Sequence, residues 1–475
     1  MAGMDTSTSP STQTTATSDE VTGTANRSTT PSSTAFQDYI GSQWADRDDQ
    51  LPPARAAAAF ARRRRDRVSA RFPGTRLVVK AGSLAVRSND CDFPFRAHSA
   101  FSHLTGWGSD SEPDSVLVFE PTASGHDTTL YFRERADRSS SEFYANPAIG
   151  EFWIGPRPSL AQVASDLDIA TAHIDEFAPT DDDVTLEDSE LASFLSELRL
   201  VKDEYEITEL QSAVHATQRG FDDVIADFPR IIREPRGERA VEGVFYTRAR
   251  LDGNAVGYDT IAAAGPHACR LHWTRNDGPV VPGDLMLMDA GVELDSLYTA
   301  DITRTLPVNG TFSPVQRRVY EAVREAADAA FAIVRPGIIF RDVHAEAMRV
   351  IAEKTAEWGL LPVSAEESLR PENQFHRRYM VHGTSHHLGL DVHDCAQARR
   401  EMYHDGEVSE GMVFTIEPGL YFQPDDLTVP EELRGIGVRI EDDILVTSDG
   451  AVNLSAAIPR TADEVEAWIA RQTAN

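Results

Sequence analysis

Five side chains in the C-terminal half of the chain have the types needed to hold divalent metal. They are Asp289 in Met-Asp-Ala-Gly, Asp301 in Ala-Asp-Ile-Thr-Arg-Thr, His386 in His-Gly-Thr-Ser-His-His-Leu-Gly, Glu417 in Thr-Ile-Glu-Pro-Gly and Glu441 in Arg-Ile-Glu-Asp-Asp. Hard carboxylate oxygens with one imidazole suit a pair of divalent cations, Mn²⁺ first, with Zn²⁺ or Co²⁺ chemically admissible, and suit a thiol-selected metal poorly. Two such ions, roughly 3.5–4 Å apart, can hold a bridging water as hydroxide at neutral pH and polarise a carbonyl. The inventory implies a dinuclear metallohydrolase.

An acidic chain has many carboxylates that simply face water, so local context decides. Leu285-Met286-Leu287-Met288 is an apolar run ending in Asp289, and Ala290-Gly291 then allows close backbone approach. This places Asp289 at the end of a buried strand, where a carboxylate is costly unless it binds a cation. In Val438-Arg439-Ile440-Glu441-Asp442-Asp443-Ile444, a period of two puts Arg439, Glu441 and Asp443 on one face. A cation beside two anions reads as a ligand held by a partner that orients it. His386 has a rival in His387; if Met380 to His386 is extended, His382, Thr384 and His386 share a face and His387 points away.

These segments follow the order and local wording of the aminopeptidase P and prolidase family of metallopeptidases. The chain resembles that family from about Ala59, most densely between Tyr258 and Asp443. The resemblance implies that Asp289 and Asp301 chelate or bridge one metal, that Glu417 and Glu441 bind or bridge the other, and that His386 completes one coordination sphere. It also implies that Glu417 shuttles the proton from the attacking water to the leaving nitrogen; sequence alone does not separate it from Glu441. His272 in Arg-Leu-His-Trp-Thr matches a histidine that positions substrate, and His393 in Leu-Asp-Val-His-Asp one that contacts substrate and intermediate. His382 matches a further histidine lining the site. An imidazole near neutral pH can donate to a carbonyl oxygen or a tetrahedral intermediate, and the plainer alternative for each is a ring satisfied by backbone.

Three more residues match a hydrogen-bonded network around the ligands: Asp90 in Arg-Ser-Asn-Asp, Tyr258 in Tyr-Asp-Thr-Ile and Arg439. Arg can pair bidentately with a carboxylate and Tyr can donate to it. For Asp90 an ordinary interdomain ion pair is the alternative. Trp153 in Phe-Trp-Ile-Gly matches a tryptophan offered to the site by a neighbouring subunit. The implied activity is exopeptidase cleavage of the first bond in peptides whose second residue is proline, in a homodimer or homotetramer. A dipeptidase of the prolidase type would use the same groups, and a noncatalytic peptide-binding protein is the alternative from another class. A serine or cysteine hydrolase fits less well, because Cys395 near His393 lacks an oxyanion loop.

Composition is compatible with this reading. The 475 residues, 41% hydrophobic, allow two domains with substantial cores. A net charge of -31 disfavours nucleic acid or an anionic membrane surface as partner. Cys91, Cys269 and Cys395 are too few for a disulfide framework and suit a reducing, cytoplasmic setting.

The elements that must position these groups follow from periodicity. Residues 1–35 are rich in Ser and Thr, hold no secretory apolar run and read as a disordered tail. Helical spacing starts through Pro53 to Ser69, with Arg62 to Arg65 expected as a solvated face. Strand-like runs at Arg76 to Lys80, Ser115 to Glu120 and Thr128 to Arg133 build an α/β domain over 36–190. Beyond a polar stretch at Pro179 to Asp188, helices are expected at Leu191 to Leu200, Glu204 to Phe228, Gly237 to Asp252, Val315 to Val334 and Phe340 to Trp358. Strands bearing Asp289 and Asp301 lie among them. The fold class is α/β in two domains. Residues 191–475 resemble the pita-bread fold, with metals in the cleft of a curved, mainly antiparallel sheet, and the smaller N-terminal domain partly covers the site.

Overall fold

The computed structural model describes residues 30–474. The tail expected over 1–35 therefore lies largely outside the described residues. Its last part is not a tail: Ser33 caps a helix, Thr34–Ile40, through its side chain, and the Tyr144 hydroxyl donates to the Pro31 carbonyl at 3.2 Å.

In the N-terminal domain four strands lie in the order Leu77–Lys80, Val116–Thr122, Gly125–Phe132, Ala170–His173. The first two pairings are antiparallel and the last is parallel. Alternation explains the two faces. Leu77, Val79, Leu117, Phe119, Leu130 and Phe132 meet Phe101, Leu104 and Trp107, while Val78, Val116 and Val118 turn to Phe177 on the other side. The helix expected from Pro53 begins at Ala57 and runs to Arg71. Its arginines are not a uniformly solvated face. Arg64 and Arg65 are buried, donating to the carbonyls of His103 and Leu104 at the end of helix Ser99–Thr105, where cations are favoured. Arg64 also pairs with Asp203 and Glu206 of the second domain. Helix Ser189–Glu197 gives Leu191 and Leu195 to the first core, so packing changes over between Leu198 and Leu200, beyond the expected boundary at 190.

The second domain surrounds its strands with helices Glu204–Ala226, Gly237–Asp252, Pro314–Ile333, Phe340–Glu357 and Ala462–Thr473. Capping boxes at Asp203 and Ser313 fix the starts of two of them. Every strand pairing in this domain, among the described residues, is antiparallel. Ile261–Ala264, Leu285–Ala290 and Ile302–Pro307 form one sheet, and Val413–Ile416, Asp442–Val446 and Ala451–Asn453 a second. Gly419–Tyr421 pairs with Gly437–Arg439 between them.

Two expected strands are interrupted. The run Val438 to Ile444 breaks at Ile440 and Glu441, because the chain changes partners there. The Ile440 amide donates to Pro418 O and the Glu441 amide to Thr303 O, joining the two sheets. Met380 to His386 forms no regular strand. It runs irregularly past Val413–Ile416, with the Thr415 amide donating to His386 O and the Glu417 amide to Thr384 O.

Candidate metal centre and cleft

Asp289 stands opposite Thr303 and Ile261 in the three-stranded sheet. Met286 and Met288 on its strand enter the main core, while Leu287 packs with Ile261 and Tyr421 on the opposite face, the face of Asp289. Gly291 is required just beyond: a Cβ there would lie 1.8 Å from Ala300 O. Asp301 immediately precedes strand Ile302–Pro307, and Glu441 occupies the break between strands. Glu417 follows strand Val413–Ile416. The ligand-type residues thus come from strand ends that converge where the two sheets meet.

His386 Nε2 is the centre of this convergence. Asp301 Oδ2 is 3.2 Å away, Glu417 Oε1 3.6 Å and Glu441 Oε1 3.9 Å. The ligand atoms of Asp301, His386 and Glu441 all lie within 4.8 Å of one another. Asp289 joins through Tyr258, whose hydroxyl lies 2.7 Å from Asp289 Oδ1 and 2.5 Å from Asp301 Oδ1 and can donate its proton to either. Arg439 Nη2 donates to Asp289 Oδ2 at 2.5 Å, and the Thr303 hydroxyl to Glu441 Oε2 at 2.7 Å. All five side chains line one cleft of about 900 Å³, together with His272, His382 and His393.

The electrostatics ask for added positive charge. Burial first, and then mutual repulsion, push Glu441 well above the usual carboxylate range. Glu417 is pushed up to about 7, chiefly by burial, and Asp301 is raised for the same reason despite its hydrogen bond with His386. Burial opposes the His386 imidazolium, but Asp301 and Glu417 push it up to about 9. Oxygen donors crowded this closely with one imidazole fit divalent metal.

His272, His382, His386 and His393 all line the cleft, and one premise of the choice between His386 and His387 is corrected. Thr384 does not share the face of His382 and His386; it is buried, its hydroxyl 2.8 Å from His344 Nδ1, while Ser385 lines the cleft. His387 nevertheless points away, stacked on Phe340 with ring centroids 4.6 Å apart and packed edge-on against Tyr403. His382 Nδ1 is 2.6 Å from Gly383 O, so Nδ1–H donates there and Nε2 accepts from the Tyr421 hydroxyl at 2.7 Å. Burial, and then the charge of Arg439, hold its imidazole down at about 3. The His393 ring meets His386 edge-on at 4.3 Å, and burial with the positive charge on His386 lowers its pKa.

Asp90 does not join the network. It sits exposed in the turn between the short strands Val86–Ser88 and Cys91–Asp92 and accepts from Asn89 Nδ2, whereas Tyr258 and Arg439 reach the ligands directly. Trp153 also stays outside the cleft of its own chain; it is exposed, and its indole donates to Tyr144 O.

Other positioning groups escaped the sequence reading. Tyr421 links His382 to Arg439 Nη1, and nothing in Gly-Leu-Tyr marks it beyond proximity to Glu417. The loop presenting His393 is pinned by Asp394, which accepts from Arg199 Nε at 2.9 Å and Lys202 Nζ at 3.0 Å. Arg96 of the N-terminal domain donates to Leu390 O and to Asp391, and Ser99 donates to the same carboxylate at 2.5 Å. Two cations in Arg-Leu-Val-Lys just before a helix were the available signal.

Comparison with known proteins agrees with this geometry. The family described as Metallopeptidase family M24 matches residues 208–448, and that described as Aminopeptidase P, N-terminal domain, matches residues 60–185. Xaa-Pro aminopeptidase 1 of Streptomyces coelicolor is 52% identical over 454 residues, covering 90% of each chain. Among solved structures, the aminopeptidase PepP of Pseudomonas aeruginosa superposes with a TM-score of 0.77 at 28% identity, covering 89% of this chain and 100% of its own. A zinc-substituted Escherichia coli aminopeptidase P in complex with product superposes with a TM-score of 0.76 at 28% identity, covering 88% and 99%.

Proposed function

Because the chain belongs to metallopeptidase family M24 and carries the aminopeptidase P type of N-terminal domain, we propose that it is a Xaa-Pro aminopeptidase. It releases the N-terminal residue from peptides whose second residue is proline. The observation that carries this is the convergence of Asp301, Glu417 and Glu441 on His386 Nε2, with Asp289 tied in through Tyr258, in an open cleft. These five residues would hold two divalent ions, Mn²⁺ first. Bound there, the ions supply Lewis-acid polarisation of the scissile carbonyl and an acidified water.

The chain's own residues do the rest. Side-chain exposure supports Glu417 over Glu441, which sequence left equivalent: Glu417 is 17% exposed, whereas Glu441 is 2% exposed and tied to Thr303. Glu417 is thus the carboxylate able to take a proton from the attacking water and hand it to the leaving nitrogen. His393, at the cleft surface beside His386, donates to the substrate carbonyl or tetrahedral intermediate; His272 positions substrate, and His382, fixed by Tyr421, lines the site. Tyr258 and Arg439 keep Asp289 and Asp301 oriented.

The relatives favour the aminopeptidase over the prolidase reading. Three free thiols suit the cytoplasm, and the exposed Trp44, Phe152, Trp153 and Ile154 suit a homodimer or homotetramer. Among the described residues no helix is long and apolar enough to cross a membrane.

The test is hydrolysis of Xaa-Pro dipeptides and longer Xaa-Pro peptides by the purified protein with Mn²⁺, before and after chelation. Longer peptides are expected to turn over, chelation to abolish activity and Mn²⁺ to restore it. Undiminished activity in protein shown metal-free by elemental analysis would sink the metal mechanism, and cleavage confined to dipeptides would sink the aminopeptidase reading.

A further inference from the structure

His272 lines the cleft, yet no hydrogen bond or ion pair to its ring occurs among the described residues, and it sits exposed on a turn. Its direction is therefore set by its backbone. That backbone belongs to the connection between strands Ile261–Ala264 and Leu285–Ala290. The next residue, Trp273, donates its indole N–H to Glu238 Oε2 at 2.9 Å.

Glu238 is on another element, the first turn of helix Gly237–Asp252, and is fully buried. Its carboxylate gathers the whole connection. Oε1 accepts from the Ala264 amide at 2.8 Å and from His267 Nδ1 at 2.8 Å; Oε2 accepts from the Gly278 amide at 2.6 Å as well as from Trp273. The Glu238 amide in turn donates to Gly278 O at 3.1 Å. The His267 ring stacks on Trp273, with centroids 3.9 Å apart. Gly278 leaves no room for change, since a Cβ there would lie 2.7 Å from the His267 ring and 2.9 Å from Glu238 Oε2. Four donors from the start, middle and end of one connection on a single buried carboxylate form a clamp, and a carboxylate at a helix N-terminus is favoured there.

We infer that Glu238, acting through Trp273, is a positioning residue that fixes the direction in which His272 faces the cleft. This rests on the proposed role of His272 in positioning substrate. A side chain held only through its neighbour loses orientation when the neighbour is released, and substituting such partners costs about 10-fold to 100-fold in metal sites. Glu238 is not among the residues that line the cleft, and its side-chain partners are Ala264, His267, Trp273 and Gly278, none of them a ligand-type residue of the metal centre.

The experiment is a double-mutant cycle on the Mn²⁺-loaded enzyme, with kcat and KM measured on a Xaa-Pro tripeptide for Trp273→Phe, His272→Ala and the pair. Trp273→Phe removes the indole donor and leaves the two backbone anchors, so melting should show a folded protein. It is expected to lower kcat/KM about tenfold, mainly through KM. In the His272→Ala background the same change is expected to have less than a twofold effect, because nothing remains to be aimed. Glu238→Gln, which in either orientation of its amide sets a donor against two of the four donors, should move KM in the same direction. Equal losses from Trp273→Phe in both backgrounds, or no loss in either, would overturn the clamp while His272→Ala alone remained impaired. If His272→Ala is itself unimpaired, the role of His272 falls and the clamp with it.

Discussion

Asp394→Asn removes one negative charge from a buried group of charges and keeps its shape. Asp394 is 1% exposed, and its two oxygens accept from Arg199 Nε and Lys202 Nζ; the Lys202 side chain is wholly buried. The carboxylate ties the loop that follows the histidine pair to Arg199 and Lys202, while the Asp394 amide, which the substitution keeps, donates to His387 O at 2.9 Å. Without the charge, the two cations are left with weaker partners, Asp391 at 3.9 Å from Arg199 and the buried Glu206 carboxylate acting on Lys202. Removing one member of a buried ion pair costs about 3–5 kcal/mol. With an unfolding entropy of about 2.1 cal/mol/K per residue, a domain of roughly 280 residues shifts by about 1.7 °C per kcal/mol, so the melting temperature should fall by about 5–9 °C. Burial opposes ionisation of Asp394, but Lys202 and Arg199 hold its carboxyl well below the usual range. A depressed carboxyl stabilises above its unfolded pKa, near about 3.9, and that stability is lost as pH falls through the folded value. The gap between wild type and variant should therefore be constant from pH 8 to pH 5, as judged by thermal melts, and narrow only below about pH 4. Adding Lys202→Met should recover part of the loss by removing one orphaned cation. A variant within 1 kcal/mol of wild type, or a gap that widens on acidification, would refute the reasoning.

His393→Ala should lower kcat by about 10²–10³, the cost of one lost oxyanion donor, with bound metal retained by elemental analysis. His387→Ala should cost little kcat but lower the melting temperature, since its buried ring stacks on Phe340; loss of metal from this variant but not from His386→Ala would reverse the assignment of the pair. Asp301→Asn should lose metal and activity together, whereas Glu417→Gln should keep part of its metal and lose proton transfer. Wild-type turnover in Glu417→Gln at unchanged metal content would remove the proton-shuttle role.

Long periodic elements were legible from sequence, and their contacts were not. Helix Gly237–Asp252 ends where its pattern ends because Gly253 stops it, and Glu204–Ala226 starts where Asp203 and Glu206 form a capping box. Asp289 was legible because a carboxylate closing a buried apolar run is costly unless a cation meets it. The period of two that favours His386 over His387 is not obeyed by Thr384; the facing of the pair agrees because Thr415 and Glu417 fix the alternate carbonyls of that irregular segment. Asp90 was not placed correctly because a local match carries no information about where an exposed hairpin turn sits. Arg64 and Arg65 looked solvated because pairing with a helix end and with Asp203, more than a hundred positions away, leaves no local pattern.

The groups that escaped the sequence share a physical character: Glu238, Asp394, Arg96 and Tyr421 each act by joining elements distant in the chain. Carboxylates crowded around His386 repel one another, and burial raises the cost, so their positions have to be imposed from outside the cluster. Strand register imposes Asp289 and Asp301, and the partner change at Ile440 and Glu441 imposes Glu441. The loops bearing His272 and His393 have no such ladder. Each is held by one buried carboxylate: Glu238 reaches in from a neighbouring helix and takes its donors from the connection it holds, while Asp394 lies on the loop itself and takes donors from Cys395 and from Arg199 and Lys202. The loop bearing His272 is thus fixed without contact to the residues assigned to the metals, whereas the loop bearing His393 also meets them, through the His386 ring and the His387 carbonyl. Perturbing the Glu238 clamp should change substrate handling while leaving metal binding in place, a separation that removal of Tyr258 or Arg439, in contact with the ligands themselves, cannot produce.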